Sequence, residues 1–150
     1  MQQPIVISGA GILGCYISCA LSLQGIDSIV LEKKDDEVED SIRTITLNPF
    51  SKNLLDKIGI ENDYSMINKM EVKDFDGTGK IVFKSSEIGM DHLAYVSDFA
   101  TLLMAVRKKA SEKILYKEEI IDIDNKGDLN EVTLSSGKVI KTNLIISSDG

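Results

Sequence analysis

The sequence predicts an α/β fold, a central parallel sheet with helices on one face and a β-meander on the other. Three observations carry that prediction. Ile5-Val6-Ile7-Ser8 is a short β-branched run that stops at Gly9, the pattern of a strand buried on both faces of a parallel sheet. Leu13, Ile17, Ala20 and Leu21 then recur at helical spacing, and Gly25 supplies the residue that ends such a helix. Ser28-Ile29-Val30-Leu31 is a second buried run, and strand, helix and strand in about thirty residues make a right-handed βαβ unit.

The remaining elements follow in order. Lys33-Lys34-Asp35-Asp36-Glu37-Val38-Glu39-Asp40 has no periodicity and reads as an acid-rich surface loop. Asn48 and Pro49 are an N-cap and a first helical residue, and Leu54, Leu55 and Ile58 form the stripe of a helix that Gly59 stops. Glu71 to Phe75 and Lys80 to Lys84, joined through Asp76-Gly77-Thr78-Gly79, predict a β-hairpin. Asp98 caps a third helix with the stripe Phe99, Leu102, Leu103, Val106 and Ala110, and Arg107, Lys108 and Lys109 lie where its dipole favours cations. Strands at Ile114–Tyr116, Ile120–Ile123, Glu131–Leu134 and Val139–Lys141, with turns at 125–128 and 135–138, make an antiparallel meander that feeds a last buried strand, Leu144–Ser147.

Composition narrows the class. The chain has 150 residues, 43% hydrophobic and 27% charged, a single-domain length that buries roughly 70% of its unfolded surface. A net charge of −7 removes the attraction to phosphate backbones on which nucleic-acid binding depends, so no nucleic-acid partner is expected. Only two cysteines, Cys15 and Cys19, are present, which suits a reducing compartment and helix-to-sheet packing better than redox work. With one histidine, His92, in a predicted surface loop and no CxxC, no metal site is expected. No apolar run is long enough to span a bilayer, and Met1-Gln2-Gln3 has no basic leader character. The expected location is the cytoplasm, with peripheral association at the inner membrane left open.

The chemistry sits in one constellation. Gly9-Ala10-Gly11-Ile12-Leu13-Gly14 is a GxGxxG directly after a strand and directly before a helix, and Glu32 ends the next strand eighteen residues beyond Gly14. This context makes it a dinucleotide-binding fingerprint. Gly9 permits the tight turn, Gly11 lets a pyrophosphate approach the backbone, and Gly14 lets the helix pack close to the sheet. Glu32 accepts from the ribose hydroxyls of an adenosine and disfavours a 2′-phosphate, with Lys33 and Lys34 as opposing charges. The fingerprint alone leaves FAD and NAD both open. No catalytic residue stands out.

With Ile42-Arg43-Thr44-Ile45-Thr46-Leu47-Asn48-Pro49 after the nucleotide loop and Ser148-Asp149-Gly150 after the last strand, the sequence resembles the FAD-dependent aromatic hydroxylases. These are the group A flavoprotein monooxygenases of the p-hydroxybenzoate hydroxylase type, and the likeness is greatest to their ubiquinone-biosynthesis branch. The resemblance implies a Rossmann-like FAD-binding domain over residues 1–150, the N-terminal part of a longer hydroxylase, with 69–96 as the start of a substrate-domain insertion. It implies that residues 9 to 14 cradle the FAD pyrophosphate, that Glu32 with Lys33 meets the adenosine ribose and that Arg43 lies near the flavin. Ile120 would offer its backbone to the adenine, and Asp149 would bind the ribityl chain. The implied reaction is hydroxylation of a small aromatic substrate, a quinone-precursor phenol, with NAD(P)H as reductant and O₂ as oxidant.

The chain spans less than half of the family's length, stops inside its Asp-Gly motif, and has Phe99 where the pattern has an arginine or another polar residue. Inactivity of this chain alone is therefore expected, with a second chain one way to supply the missing half. Other readings stay open: another FAD- or NAD-dependent oxidoreductase sharing the nucleotide half, or a non-catalytic remnant. On the residues alone, Arg43 also suits neutralisation of the acidic loop, and Asp149-Gly150 suits a simple strand-ending turn.

Overall fold

Val6 and Ile7 have no exposed surface, and the strand that carries them is central in the computed structural model, which describes residues 3–38 and 42–149. The chain runs from β1 (Ile5–Ser8) through α1 (Ile12–Leu23) into β2 (Ser28–Glu32). Next come β3 (Thr44–Leu47), α2 (Pro49–Lys57), β4 (Ser65–Ile67), β5 (Lys69–Lys73), β6 (Lys80–Lys84) and β7 (Ala94–Asp98). Helix α3 (Phe99–Ala110) leads to β8 (Ile114–Tyr116), β9 (Ile120–Asn125), β10 (Asn130–Leu134), β11 (Val139–Thr142) and β12 (Ile145–Ser147). Two units are distinct: Met1–Asp40 with Leu102–Gly150, and Ser41–Thr101.

In the first unit the strands lie in the order β12-β1-β2-β8, every pair parallel. Side chains alternate across the sheet. Val6 and Leu31 point to one face, where Val132, Leu134 and Ile140 of the antiparallel β9-β10-β11 meander complete the core. Ile7 and Val30 point to the other, where α1 packs on β1 and β2 through the small buried residues Gly14, Cys15, Ser18 and Cys19. Each large aliphatic side chain so buried contributes roughly 1.5–3 kcal/mol. The fold class read from the sequence, a parallel sheet with a meander on one face, is the one observed. One strand moves: Ile114–Tyr116 leaves the meander and becomes the parallel edge strand beside β2. Its three apolar residues carry no signal of which sheet they join.

The second unit holds an antiparallel β3-β7-β4 sheet and the β5-β6 hairpin. Asn48 caps α2 by accepting from the Ser51 amide at 2.7 Å, with Pro49 in the first turn. The hairpin begins two residues before its expected start, at Lys69, and the Asp74 amide donates to the Gly79 carbonyl at 3.0 Å to close the loop. Residues 69–96 lie within this unit. The Asp98 carboxylate accepts from the Thr101 amide at 2.7 Å and hydroxyl at 2.8 Å, capping α3 as its sequence predicts. The division between the units falls just beyond that cap, after Thr101.

Candidate functional site

At the carboxyl end of β1 the chain turns at Gly9, whose φ of +99° is open to glycine and strained for other residues. The Gly9 amide donates to the Leu31 carbonyl at 2.8 Å, tying the turn to β2. A Cβ at Gly9 would stand 2.9 Å from the Asp149 backbone, and one at Gly14 would run into the Gly9 carbonyl and lie 2.6 Å from the Ser148 hydroxyl. A Cβ at Gly11 would meet no protein atom within 4 Å. Gly9 and Gly14 are thus required by the protein's own packing, whereas Gly11 borders open space. That space is a cleft of about 660 Å³ in the first unit.

Gly9, Gly11, Glu32, Lys33, Ile120 and Asp149 all line this cleft. Ala10 and Gly14 are buried behind it, and Leu13 turns outward, 59% exposed. Ala10, Ile12, Leu13 and Gly14 do not line the cleft. Gly11 is the N-cap of α1, with no side-chain cap and no acidic residue in the first turn. The free amides and the positive end of the helix dipole therefore remain available to an anion.

Two acidic residues of the cleft, Glu32 and Asp149, are held in place by hydrogen bonds. Glu32 Oε2 accepts from the Ala10 amide at 3.1 Å and Oε1 from the Lys34 amide at 3.1 Å. Arg107 Nη2 lies 3.3 Å from Glu32 Oε2, and Arg107 Nε donates to the Ala10 carbonyl at 2.9 Å. Asp149 Oδ2 accepts from the Ser8 hydroxyl at 2.7 Å and Oδ1 from the Ser147 hydroxyl at 2.8 Å. The Ser8 hydroxyl first, and then that of Ser147, hold its carboxyl below the usual aspartate range. Ser148 donates from its hydroxyl to the Ser8 carbonyl at 2.8 Å and the Gly9 carbonyl at 3.1 Å, which locks the end of β12 to the turn. Gly150 lies outside the described residues.

Arg107 and the three serines are missed by sequence reasoning. Arg107 is only 8% exposed, although its place near the end of α3 suggested a cation serving the dipole. A signal was present: position 107 is four residues after Leu103 and three before Ala110, so a charge interrupts the apolar stripe. The serines carry no such mark, because short hydroxyl side chains suit any strand end.

Arg43 belongs to the second unit, where its guanidinium carbon lies 4.4 Å from the centre of the Phe99 ring and its carbonyl accepts from the Phe99 amide at 2.9 Å. The aromatic at 99 thus takes a cation on its face. His92 pairs with Asn68 at 2.6 Å and stands edge-on to Tyr95. Cys15 and Cys19 are buried free thiols, and burial pushes Cys15 up to about 12. Among the described residues no cluster could hold a metal ion, and no helix is long and apolar enough to cross a membrane.

A glycine turn opening a helix beside a bare cleft, with an acidic residue held at the end of the next strand, defines a dinucleotide-binding domain. Within that class the chain belongs to the FAD binding domain family, which matches residues 2–144, and FAD is its cofactor. It is similar to the ubiquinone biosynthesis monooxygenase COQ6, mitochondrial, of Danio rerio, with 26% identity over 97% of this chain and 36% of that protein. It is equally similar, at 26%, to the 3-demethoxyubiquinol 3-hydroxylase of Escherichia coli K12, over 99% of this chain and 42% of the relative. Among solved structures, a mutant of PqsL from P. aeruginosa superposes with a TM-score of 0.82 at 20% identity, over all of this chain and 43% of that one. The resemblance to FAD-dependent aromatic hydroxylases of the ubiquinone branch is borne out by these matches. The chain spans well under half the length of both relatives.

Proposed function

We propose that this chain supplies the FAD-binding part of a flavin-dependent monooxygenase that hydroxylates an aromatic ring, with a ubiquinone-precursor phenol as the substrate class. The observation that carries the reading is the cleft over Gly11, bare of protein atoms on the side where a helix N-terminus presents its amides. A bound flavin would supply the redox chemistry, with NAD(P)H as reductant and O₂ as oxidant. The chain's own residues bind and orient. Gly9, Ala10, Gly11, Ile12, Leu13 and Gly14 form the turn and first helical turn that receive the pyrophosphate. Glu32 and Lys33 take the ribose and its surroundings, Ile120 offers backbone to the adenine, and Asp149 takes the ribityl hydroxyls. Arg43 stands for the flavin side. Residues 69–96 are read as the start of the substrate domain. The two ubiquinone-pathway relatives support the substrate class.

FAD titration followed by flavin fluorescence tests this reading, with Gly11→Val beside the wild type. A Cβ at Gly11 meets no protein atom within 4 Å and projects into the cleft, so the variant is expected to fold and to lose FAD binding. Undiminished FAD binding by Gly11→Val, or tight NAD binding without any for FAD, overturns it. With NAD(P)H and a panel of phenols, the 150-residue chain is expected to produce peroxide rather than hydroxylated product, because the walls that exclude water belong to the rest of a longer protein.

A further inference from the structure

We infer that Arg107 is the positioning residue of the adenosine end of the cleft, a role that rests on the reading of the FAD site given above. Its guanidinium touches both halves of the fingerprint. Nε donates to the carbonyl of Ala10 in the glycine turn at 2.9 Å, and Nη2 lies 3.3 Å from Glu32 Oε2 at the end of β2. Both side chains are nearly enclosed, 10% and 12% exposed, so water does little to screen the pair, and neither can leave without stranding a buried charge. Behind the guanidinium the Tyr116 ring centre lies 5.7 Å from its central carbon.

Two consequences follow from this geometry. A carboxylate has about four acceptor positions. The Ala10 amide, the Lys34 amide and Arg107 take three of those on Glu32, leaving one, on Oε1, for a ligand hydroxyl. Glu32 therefore meets a ribose already aimed and already desolvated, and the ordering cost is met in folding rather than in binding. Second, the Ala10 carbonyl and the Gly11 amide belong to one trans peptide and point in opposite directions. Fixing the carbonyl fixes the direction of the Gly11 N–H, and a charged donor on that carbonyl polarises the peptide and strengthens its N–H as a donor. Arg107, which itself lines the cleft, thus acts on the ribose acid through Glu32 and on the pyrophosphate turn through Ala10.

The test is a double-mutant cycle on FAD affinity in the full chain: wild type, Arg107→Met, Glu32→Ala and the pair, each measured well below its own melting temperature. Arg107→Met is expected to weaken FAD at least tenfold in the wild-type background and less than threefold when Glu32 is already alanine. Arg107→Lys, which keeps the charge but cannot span both acceptors, is expected to fall between wild type and Arg107→Met. A merely stabilising role predicts a lower Tm with the affinity of the folded protein unchanged. FAD binding by Arg107→Met within threefold of wild type, or losses that multiply independently across the cycle, overturns the inference. If Arg107→Met does not fold, the same cycle with Arg107→Lys decides by the same criterion of non-additivity. Failure of the cleft reading shows separately, as FAD binding that Gly11→Val leaves intact, and the inference falls with it.

Discussion

In the parallel sheet of the first unit, Val6, Ile7, Val30 and Leu31 lose all or nearly all contact with solvent, whereas in the β5-β6 hairpin of the second every residue but Val82 is exposed. Both segments are rich in aliphatic side chains, so the contrast lies in what covers them. Parallel strands need crossover elements on their faces and are buried by their own connections. A two-stranded hairpin brings no cover of its own and is marginal in water. Met70 faces Phe83 and Val72 faces Ile81 across the hairpin, and these side chains remain 39–58% exposed. Burial is therefore concentrated where the cleft is built.

The largest effect expected from this contrast is at Gly14. Its missing Cβ is demanded by the Gly9 carbonyl and the Ser148 hydroxyl, and backbone cannot yield as a flexible side chain can, so Gly14→Val should destabilise the first unit by more than about 4 kcal/mol. Chemical denaturation measures it, and a variant as stable as wild type would break the claim that helix and turn are in contact there. Next is Leu134→Ala, at a position with no exposed surface, for which a loss of about 2–5 kcal/mol is expected.

A pH effect of intermediate size should arise in the first unit, where both cysteines lie. Burial raises the Cys15 thiol from 9.0 to about 12. Above pH 9 the unfolded chain gives up that proton while the folded chain keeps it, so stability present below pH 9 is lost as the pH rises toward 12. Cys15→Ala should flatten that fall in a series of melts across the same range. The smallest effect belongs to the hairpin, where Val72→Thr should change stability by no more than about 0.5 kcal/mol. A loss as large as that of Leu134→Ala would mean that the hairpin's open face is covered in solution.

What could be read from the chain in advance was what local chemistry determines. Asn48 with Pro49 and Asp98 with Thr101 start helices through contacts three residues away, and the β1-α1-β2 fingerprint is contiguous. Strands β3, β4 and β7 escaped notice because they are short and partly polar, as in Ala94-Tyr95-Val96-Ser97-Asp98, and acquire their character only from one another. Ile114–Tyr116 was legible as a strand but not as a neighbour of β2, a matter of topology rather than of local preference. At the site, glycines and an acid at fixed spacing announce themselves. Arg107 did not, because its meaning depends on a partner, Glu32, that lies 75 residues earlier in the chain.

The Ser8 to Asp149 hydrogen bond joins residues 141 positions apart, and Val6 pairs with Ile145. Strand β1 finds β2 just across the α1 crossover, yet its other edge has no partner until β12 is made. At a ribosomal pace of 5–20 residues per second that edge stays open for roughly ten seconds, and loop-closure entropy opposes its pairing throughout. An unpaired edge of β-branched residues is a template for association with other chains. The cleft is thus finished only once β12 has been made, and the strand most exposed to wrong partners in a nascent chain is the one whose own partner comes so much later.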